Sequence, residues 1–439
     1  MKNIKVGLLG CGTVGTGVAK MLLVNGELIQ KRLGTGLELK YVADTDTRTD
    51  RGIDFADGVF VDDAFKVVAD PEVDIIIEMI GGESVAKALI LQAFENGKHV
   101  VTANKALLAK HGNELVRAAA GKKVDLAYEA SVGGCMPIIK TLREALIGNN
   151  IAKITGILNG TCNYILTKIT NEGISFEEAL ADAQTGGYAE ADPGLDVDGL
   201  DAAHKLAILG ALAYGMRINF DDIYIEGISK ITPLDIQFAG QFGYRIKLLA
   251  ISKNTGEKVE ARVHPTMIPV DNILSNVDGT LNAVSITGDA VGEIFLSGHG
   301  AGMMPTASAV ISDTVDIARN LLSGSRTDRI PTMGYQAAKV RKIPVMSIDE
   351  LVTHYYFRFE ALDEPGVLSK ISGILGDFQI SLKTVHQMGR RTNGSVPVVM
   401  LTHYAREADV KNALAEINGL NVVENDPVVI RIEDKNNKY

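Results

Sequence analysis

One short stretch constrains this chain more than any other: Gly10-Cys11-Gly12-Thr13-Val14-Gly15, which follows an apolar run at 4–9 and opens a helical pattern at 14–23. At the end of a strand each glycine has its own task. Gly10 makes the tight turn, Gly12 lets a backbone approach a pyrophosphate, and Gly15 lets helix and strand pack closely. The helix N-terminus then offers unpaired N–H groups and a positive dipole end to phosphates. The alternative is a glycine-rich turn without a ligand, and the strand before and helix after count against it.

The rhythm around this turn supports the same reading. Apolar runs at 37–43, 75–79, 99–102 and 123–128 alternate with helical stretches such as 86–96, the signature of an α/β domain with a parallel sheet covered by helices. A doubly wound, Rossmann-type domain is expected over 1–130. With 439 residues the chain has room for two or three domains of about 100–200 residues each. From about Ser131 the pattern changes: a helix around 137–146, a strand at 151–158, then a long acidic, glycine-punctuated helical stretch to Gly215. Strands at 258–268 and 292–296 and a helix around 307–321 complete an α+β substrate and dimerisation domain over 131–322, whose late helix is allowed to pack back on the first domain.

Residues 323–350, with Ser323-Gly324-Ser325-Arg326 and two Ile-Pro steps, read as a connector. Beyond it the order is strand, helix, strand, strand, helix, strand, a ferredoxin-like βαββαβ plan over 351–435 that is expected to fold as a separate unit.

A formal charge of −10 without any run of Lys or Arg disfavours nucleic acid and anionic membrane surfaces, which need clustered positive charge. No apolar stretch approaches the ~18 residues of a membrane span, and the N-terminus lacks the layout of a signal peptide. The chain is expected to be soluble and cytoplasmic. Cys11, Cys135 and Cys162 are too few and too scattered for a metal cluster or disulfide framework.

At the nucleotide end, Asp44 closes the second strand where an acid takes the ribose hydroxyls of NAD. It stands further than usual from the glycines, which fits a first helix continuing through Leu33. Arg48 is placed to meet a 2′-phosphate instead, so the choice between NAD and NADP stays open. At the chemical end, the strand 99–102 runs out into Asn104 and Lys105, at the carboxyl edge where ligands bind in open α/β sheets. The densest acidic cluster is Tyr188-Ala-Glu190-Ala-Asp192-Pro193, continuing through Asp196 and Asp198 to Asp201 and Lys205. Asp201 and Lys205, four apart on a helix, share one face. A solvated surface pair is the plain alternative. Gly186, Gly187 and Pro193 interrupt the run in a way that suits a loop shaping a pocket. Acids with two lysines suit a substrate carrying an ammonium and a carbonyl: Glu190 can accept from the ammonium, and a lysine can donate to an oxygen that gains charge. The residues point to reduction of an amino-acid aldehyde.

Taken together, the stretches 97–109, 129–134, 156–166, 187–193 and 201–209, with Gly300-Ala301-Gly302, resemble homoserine dehydrogenase in its bacterial form with a C-terminal ACT domain. The resemblance covers essentially the whole chain. It implies NAD- or NADP-dependent interconversion of L-aspartate 4-semialdehyde and L-homoserine on the route to threonine and methionine. By resemblance Lys205 is the acid/base lysine, Lys105 a second active-site lysine, and Glu190, Asp201 and Asp196 the substrate-binding acids. Thr13, Val14, Thr102, Lys105 and Gly302 match cofactor-contacting positions. Glu129, Val132, Gly134 and Met136 fall where the family holds a monovalent cation, Na or K, chiefly through backbone carbonyls. Ala43 stands where many NADP-preferring relatives carry an arginine. Asp363-Glu-Pro-Gly366 resembles the ACT signature, with Gly366 admitting a small ligand; threonine is the implied effector, a purely dimerising role the alternative, and a homodimer or homotetramer the implied assembly. A catalytically silent amino-acid sensor on the same scaffold is the rival from another class, and a dehydrogenase for a related amino-acid aldehyde the rival within it.

Overall fold

The computed structural model describes residues 3–324, 330–387 and 394–434. Ser325, Arg326 and the limit at 435 named above lie outside them. The first domain holds a parallel sheet in the order Phe60–Val61, Leu37–Ala43, Ile4–Leu9, Ile75–Glu78, His99–Thr102, Leu126–Ala127. The strand order reverses between Ile4–Leu9 and Ile75–Glu78, and a crevice opens there at the carboxyl ends.

Two local expectations are corrected. The strand expected at 123–128 shrinks to Leu126–Ala127, because Lys123, at φ 57, closes the preceding helix Lys105–Lys122 and Val124 N still bonds back to Ala119 O. The helix expected to run through Leu33 is two helices, Thr13–Val24 and Gly26–Leu33, parted at Asn25. The helix Met303–Leu322 does return to the first domain. It crosses Thr13–Val24 at Gly17, where a Cβ would stand 2.8 Å from Met303 Cγ and 3.2 Å from Ala307 Cβ, and it buries Ala307, Val310 and Ile311 against Val18 and Ala19.

The second sheet runs Gly292–His299, Leu281–Gly288, Ile151–Ile157, Tyr244–Asn254, Val259–Pro269, Val428–Ile432, Val352–Leu362, Ser395–Thr402, Leu382–Gln387. Strands Tyr244–Asn254 and Leu281–Gly288 are additions to the sequence reading. Both are buried on the two faces, so neither shows the alternation that marks a half-exposed strand. The helix Leu200–Tyr214 packs against this sheet and is buried from Asp201 to Tyr214.

The C-terminal βαββαβ unit, expected as a separate unit, instead joins the second sheet. Its last strand pairs in parallel with Val259–Pro269, Thr266 opposite Arg431 and Met267 opposite Ile432. Charges line the seam: Arg262, fully buried, meets Glu260 at 2.7 Å and Glu433 at 2.8 Å, and Arg358 meets Asp235 at 2.7 Å. No described helix is long and apolar enough to cross a membrane.

Candidate active site

A cavity of about 750 Å³ opens between the two sheets, walled by Lys105, Asn159, Glu190, Asp201, Lys205 and Asn282 among others. Lys205 reaches it from the buried helix Leu200–Tyr214. Its Nζ donates to Leu158 O at 2.6 Å and to Asp201 Oδ2 at 2.7 Å, the i,i+4 pair expected from the spacing. Asp201 Oδ1 lies 3.0 Å from Lys105 Nζ, so one carboxylate joins the two lysines. Lys105 is the first residue of helix Lys105–Lys122, which Asn104 caps through its side chain.

Electrostatics separates the two lysines. Burial pushes the Lys205 ammonium below its ordinary pKa, with Asp201 opposing. Lys105, whose side chain is 41% exposed, is held above its ordinary value by Asp201 despite partial burial. Burial would raise the Asp201 carboxyl, but Lys205 and Lys105 together outweigh it and keep Asp201 ionised. The site therefore holds a fixed anion between a lysine that burial makes less basic than usual and one that the same anion keeps charged.

Asn159, on which the sequence reading placed no role, ties the acids together. Its Nδ2 donates to Asp196 Oδ1 at 2.7 Å and to Asp201 Oδ2 at 2.8 Å, while its Oδ1 caps helix Gly160–Glu172 through Cys162 N. Asp196 is half-buried and Glu190 exposed at the cavity mouth. The wall also extends past Lys205 to Asn282, His299, Gly300 and Gly302, although every catalytic candidate from sequence stood at or before Lys205.

A second cavity of about 550 Å³ shares Val14, Lys105, Glu190, Asp196 and Asp201 with the first and reaches Glu78 and Gly81 at the crevice edge. Thr102, fully buried, donates to Glu78 Oε2 at 2.6 Å and accepts from Asn104 N at 3.0 Å. The glycine turn beside it fits a dinucleotide. A Cβ on Gly15 would stand 2.0 Å from Gly10 O, and one on Gly10, at φ 89, 2.6 Å from the Met79 carbonyl. Around Gly12 nothing lies within 4 Å of the Cβ position, and the helix that Thr13 begins has no side-chain cap, which leaves its N–H groups for an anion.

Asp44 stands at the end of its strand, where its Oδ2 accepts from Cys11 N at 2.6 Å and its Oδ1 from Asp46 N at 2.9 Å. The arginine that reaches it is Arg51, not Arg48. Arg51 donates to Cys11 O at 2.7 Å, lies 3.6 Å from Asp44 Oδ2 and stacks over the Phe60 ring.

Glu129 puts its carboxylate to a structural use, accepting from Ile139 N and Lys140 N at 2.8 Å each. Burial, reinforced by Asp313, pushes that carboxyl up to about 7. Val132 and Met136 are buried beside it, and Gly134 at φ 57 packs on the 299–300 backbone. Among the described residues no three His, Cys, Asp or Glu side chains gather as a metal site. Gly366, at φ 90, precedes helix Val367–Asp377 with open space at its Cβ position and lies in the C-terminal unit, apart from the cavity.

Known proteins resemble the chain over nearly its whole length. The family "Homoserine dehydrogenase, NAD binding domain" matches residues 10–129, "Homoserine dehydrogenase" 137–315 and "ACT domain" 355–420. A homoserine dehydrogenase of Neisseria gonorrhoeae is 45% identical over 433 residues, 99% of each chain. A crystal structure of a homoserine dehydrogenase from Thiobacillus denitrificans superposes with a TM-score of 0.93 at 44% identity, covering 99% of both chains. A hyperthermophilic archaeal homoserine dehydrogenase in complex with NADPH superposes with a TM-score of 0.62 at 26% identity, over 72% of this chain and 98% of that one. Matched from end to end, with a lysine–aspartate–lysine cluster facing a nucleotide crevice, the chain belongs to the homoserine dehydrogenase family of NAD(P)-dependent oxidoreductases and carries a C-terminal ACT domain.

Proposed function

We propose that the chain interconverts L-aspartate 4-semialdehyde and L-homoserine, on the route to threonine and methionine, and that Lys205 is the proton donor and acceptor. The observation that carries this is Lys205 itself: a buried ammonium with two N–H groups committed to Leu158 O and Asp201 Oδ2 and, having three, one left for an oxygen in the cavity. A nicotinamide dinucleotide, when bound, supplies or takes the hydride. In reduction, Lys205 gives its proton to the oxygen that gains charge; in oxidation its lowered pKa makes it a ready base. Lys105 stays charged beside Asp201 and stabilises the same oxygen electrostatically. Glu190, with Asp196, receives the substrate ammonium at the cavity mouth.

The Gly10–Gly15 turn and the N–H groups of the helix that Thr13 and Val14 begin would hold the dinucleotide phosphates, with Thr102 and Gly302 toward the nicotinamide and Asp44 toward the ribose. A monovalent cation near Glu129 would have to use the main-chain oxygens of Glu129, Val132, Gly134 and Met136, a donor set that suits a hard ion, since the Glu129 carboxylate is already bonded. We further propose that threonine regulates the enzyme through the ACT domain near Gly366, in a homodimer or homotetramer.

The direct test is homoserine-dependent reduction of NAD and NADP by the purified chain. Absence of turnover with both cofactors would sink the assignment and favour the silent-sensor reading. Calorimetry of threonine binding, with homoserine present and absent, tests the regulatory part: an effector acts through differential affinity for two states, so threonine must bind without occupying the homoserine pocket.

A further inference from the structure

Asn282 stands in the cavity wall near the start of the strand Leu281–Gly288. That strand pairs with Ile151–Ile157, and the register brings Asn282 beside Leu158, the next residue of the neighbouring chain segment. Asn282 Nδ2 donates to Leu158 O at 3.0 Å, and Lys205 Nζ donates to the same oxygen at 2.6 Å. A carbonyl oxygen carries two lone pairs, so one atom serves both donors. Whatever orients the Leu158 peptide also sets where the lysine nitrogen sits.

Two further observations set Asn282 apart from an ordinary core amide. It is 1% exposed, yet its Oδ1 accepts no hydrogen bond among the described residues. A buried acceptor without a donor costs stability, so stability is not what the amide serves. Rotating the amide by half a turn would set Oδ1 against Leu158 O, acceptor facing acceptor, so the orientation with Nδ2 on the carbonyl is the one the site supports. The chain also leaves room for it: a Cβ on Gly300 would stand 2.0 Å from Asn282 Nδ2 and 2.2 Å from its Cγ. The loop that closes the cavity gives up a side chain where the amide lies.

We propose that Asn282 is a positioning residue for the reaction: by holding the Leu158 carbonyl it fixes Lys205 Nζ and so aims the third N–H of that lysine at the substrate oxygen. The proposal rests on the reading of Lys205 as proton donor. It adds a residue from a strand that the motif-bearing segments do not include.

Asn282→Leu keeps the branched shape and deletes the donor. In homoserine oxidation kcat should fall about ten- to a hundredfold, the scale on which a small misplacement at a reacting centre costs rate, with KM for the dinucleotide within about twofold of the parent. The acid limb of the pH profile of kcat should move to higher pH, because a Leu158 oxygen relieved of its second donor stabilises the lysine ammonium more and the free base is harder to form. A variant with lower thermal stability but parental kcat and parental acid limb overturns the proposal. Should Asn282→Leu fail to fold, Gly300→Ala presses on the same amide without removing it; a displaced limb and lowered kcat support the proposal, and parental values overturn it. Lys205→Ala, assayed alongside, keeps the two readings apart. If it retains turnover, the reading of Lys205 fails and takes this one with it; if it is inactive while Asn282→Leu behaves as the parent, only the role of Asn282 falls.

Discussion

Arg262 and Glu433, 2.8 Å apart and both buried, tie the C-terminal unit to the middle of the second sheet. Glu433 also meets Lys153 and Lys253 at 2.8 Å. Burial alone would raise its carboxyl, but Lys253, Arg262 and Lys153 hold it well below the ordinary carboxylate range. Removing one partner of such a buried pair typically costs about 3–5 kcal/mol. A chain ending at Met346 would leave Arg262 and Asp235 without Glu433 and Arg358, and would strip Thr266 and Met267 of their strand partners. We expect that truncated chain to melt well below the full-length protein and to self-associate, as read by calorimetry and sedimentation.

Glu433→Gln isolates the same contact. A carboxylate with a depressed folded-state pKa contributes stability above its ordinary value of 4.5 and loses it as pH falls below that. The variant should therefore be less stable than the parent at pH 7 and converge on it in acid. A destabilisation of equal size at both ends of the range would show that packing, not charge, is at stake.

Lys205→Ala should leave dinucleotide affinity nearly unchanged and lower kcat by about 10²–10⁴, the scale for losing a general acid. Steady-state kinetics with a separate titration of cofactor fluorescence distinguishes the two quantities. Turnover within about threefold of the parent contradicts the assigned role.

Asp44 and Arg51 bear on the nucleotide. If Asp44, at the end of its strand, takes the ribose as proposed, then with Ala43 adding no cation NAD should be used at least as efficiently as NADP. Asp44→Ala should lower kcat/KM for NAD more than for NADP, and Arg51→Ala should do the reverse. A parent that strongly prefers NADP would assign the 2′-phosphate to Arg51.

What was legible in the sequence is what local spacing encodes. The Gly10–Gly15 turn, Lys105 at a strand end and the i,i+4 pair of Asp201 and Lys205 depend on neighbours within one or two turns of chain, and the structure has them in those arrangements. What stayed hidden depends on partners far apart. Thr266 meets Arg431 across the seam through strand pairing, and no periodicity marks such a join. Asn282 lies on a strand buried on both faces, which looks the same in sequence as a buried helix segment. That Arg51 lies beside Asp44 was hidden because Asp46 accepts from Arg48 N and Thr49 N, bending the loop so that a later residue comes back to Asp44.

The buried acids where the helix Met303–Leu322 meets Glu129 make a prediction about pH. Asp313, on the helix Met303–Leu322, accepts from Glu129 N at 2.7 Å, and burial pushes its carboxyl up to about 6 from an ordinary 3.8. Lys140, 3.6 Å away, opposes that rise only in part. A group whose folded-state pKa is raised contributes stability that is complete below its unfolded value and lost as pH rises through the folded one. The parent should therefore lose stability at this site between about pH 4 and pH 6. Asn in place of Asp313 keeps an oxygen for Glu129 N and has nothing to ionise. The Tm of Asp313→Asn relative to the parent should thus shift by a few degrees in the variant's favour as pH rises through that window, with most of the change complete by pH 7. Thermal denaturation of both proteins across pH 4–8 measures it; a constant difference would mean that Asp313 is ionised throughout and that Lys140, rather than burial, governs its charge.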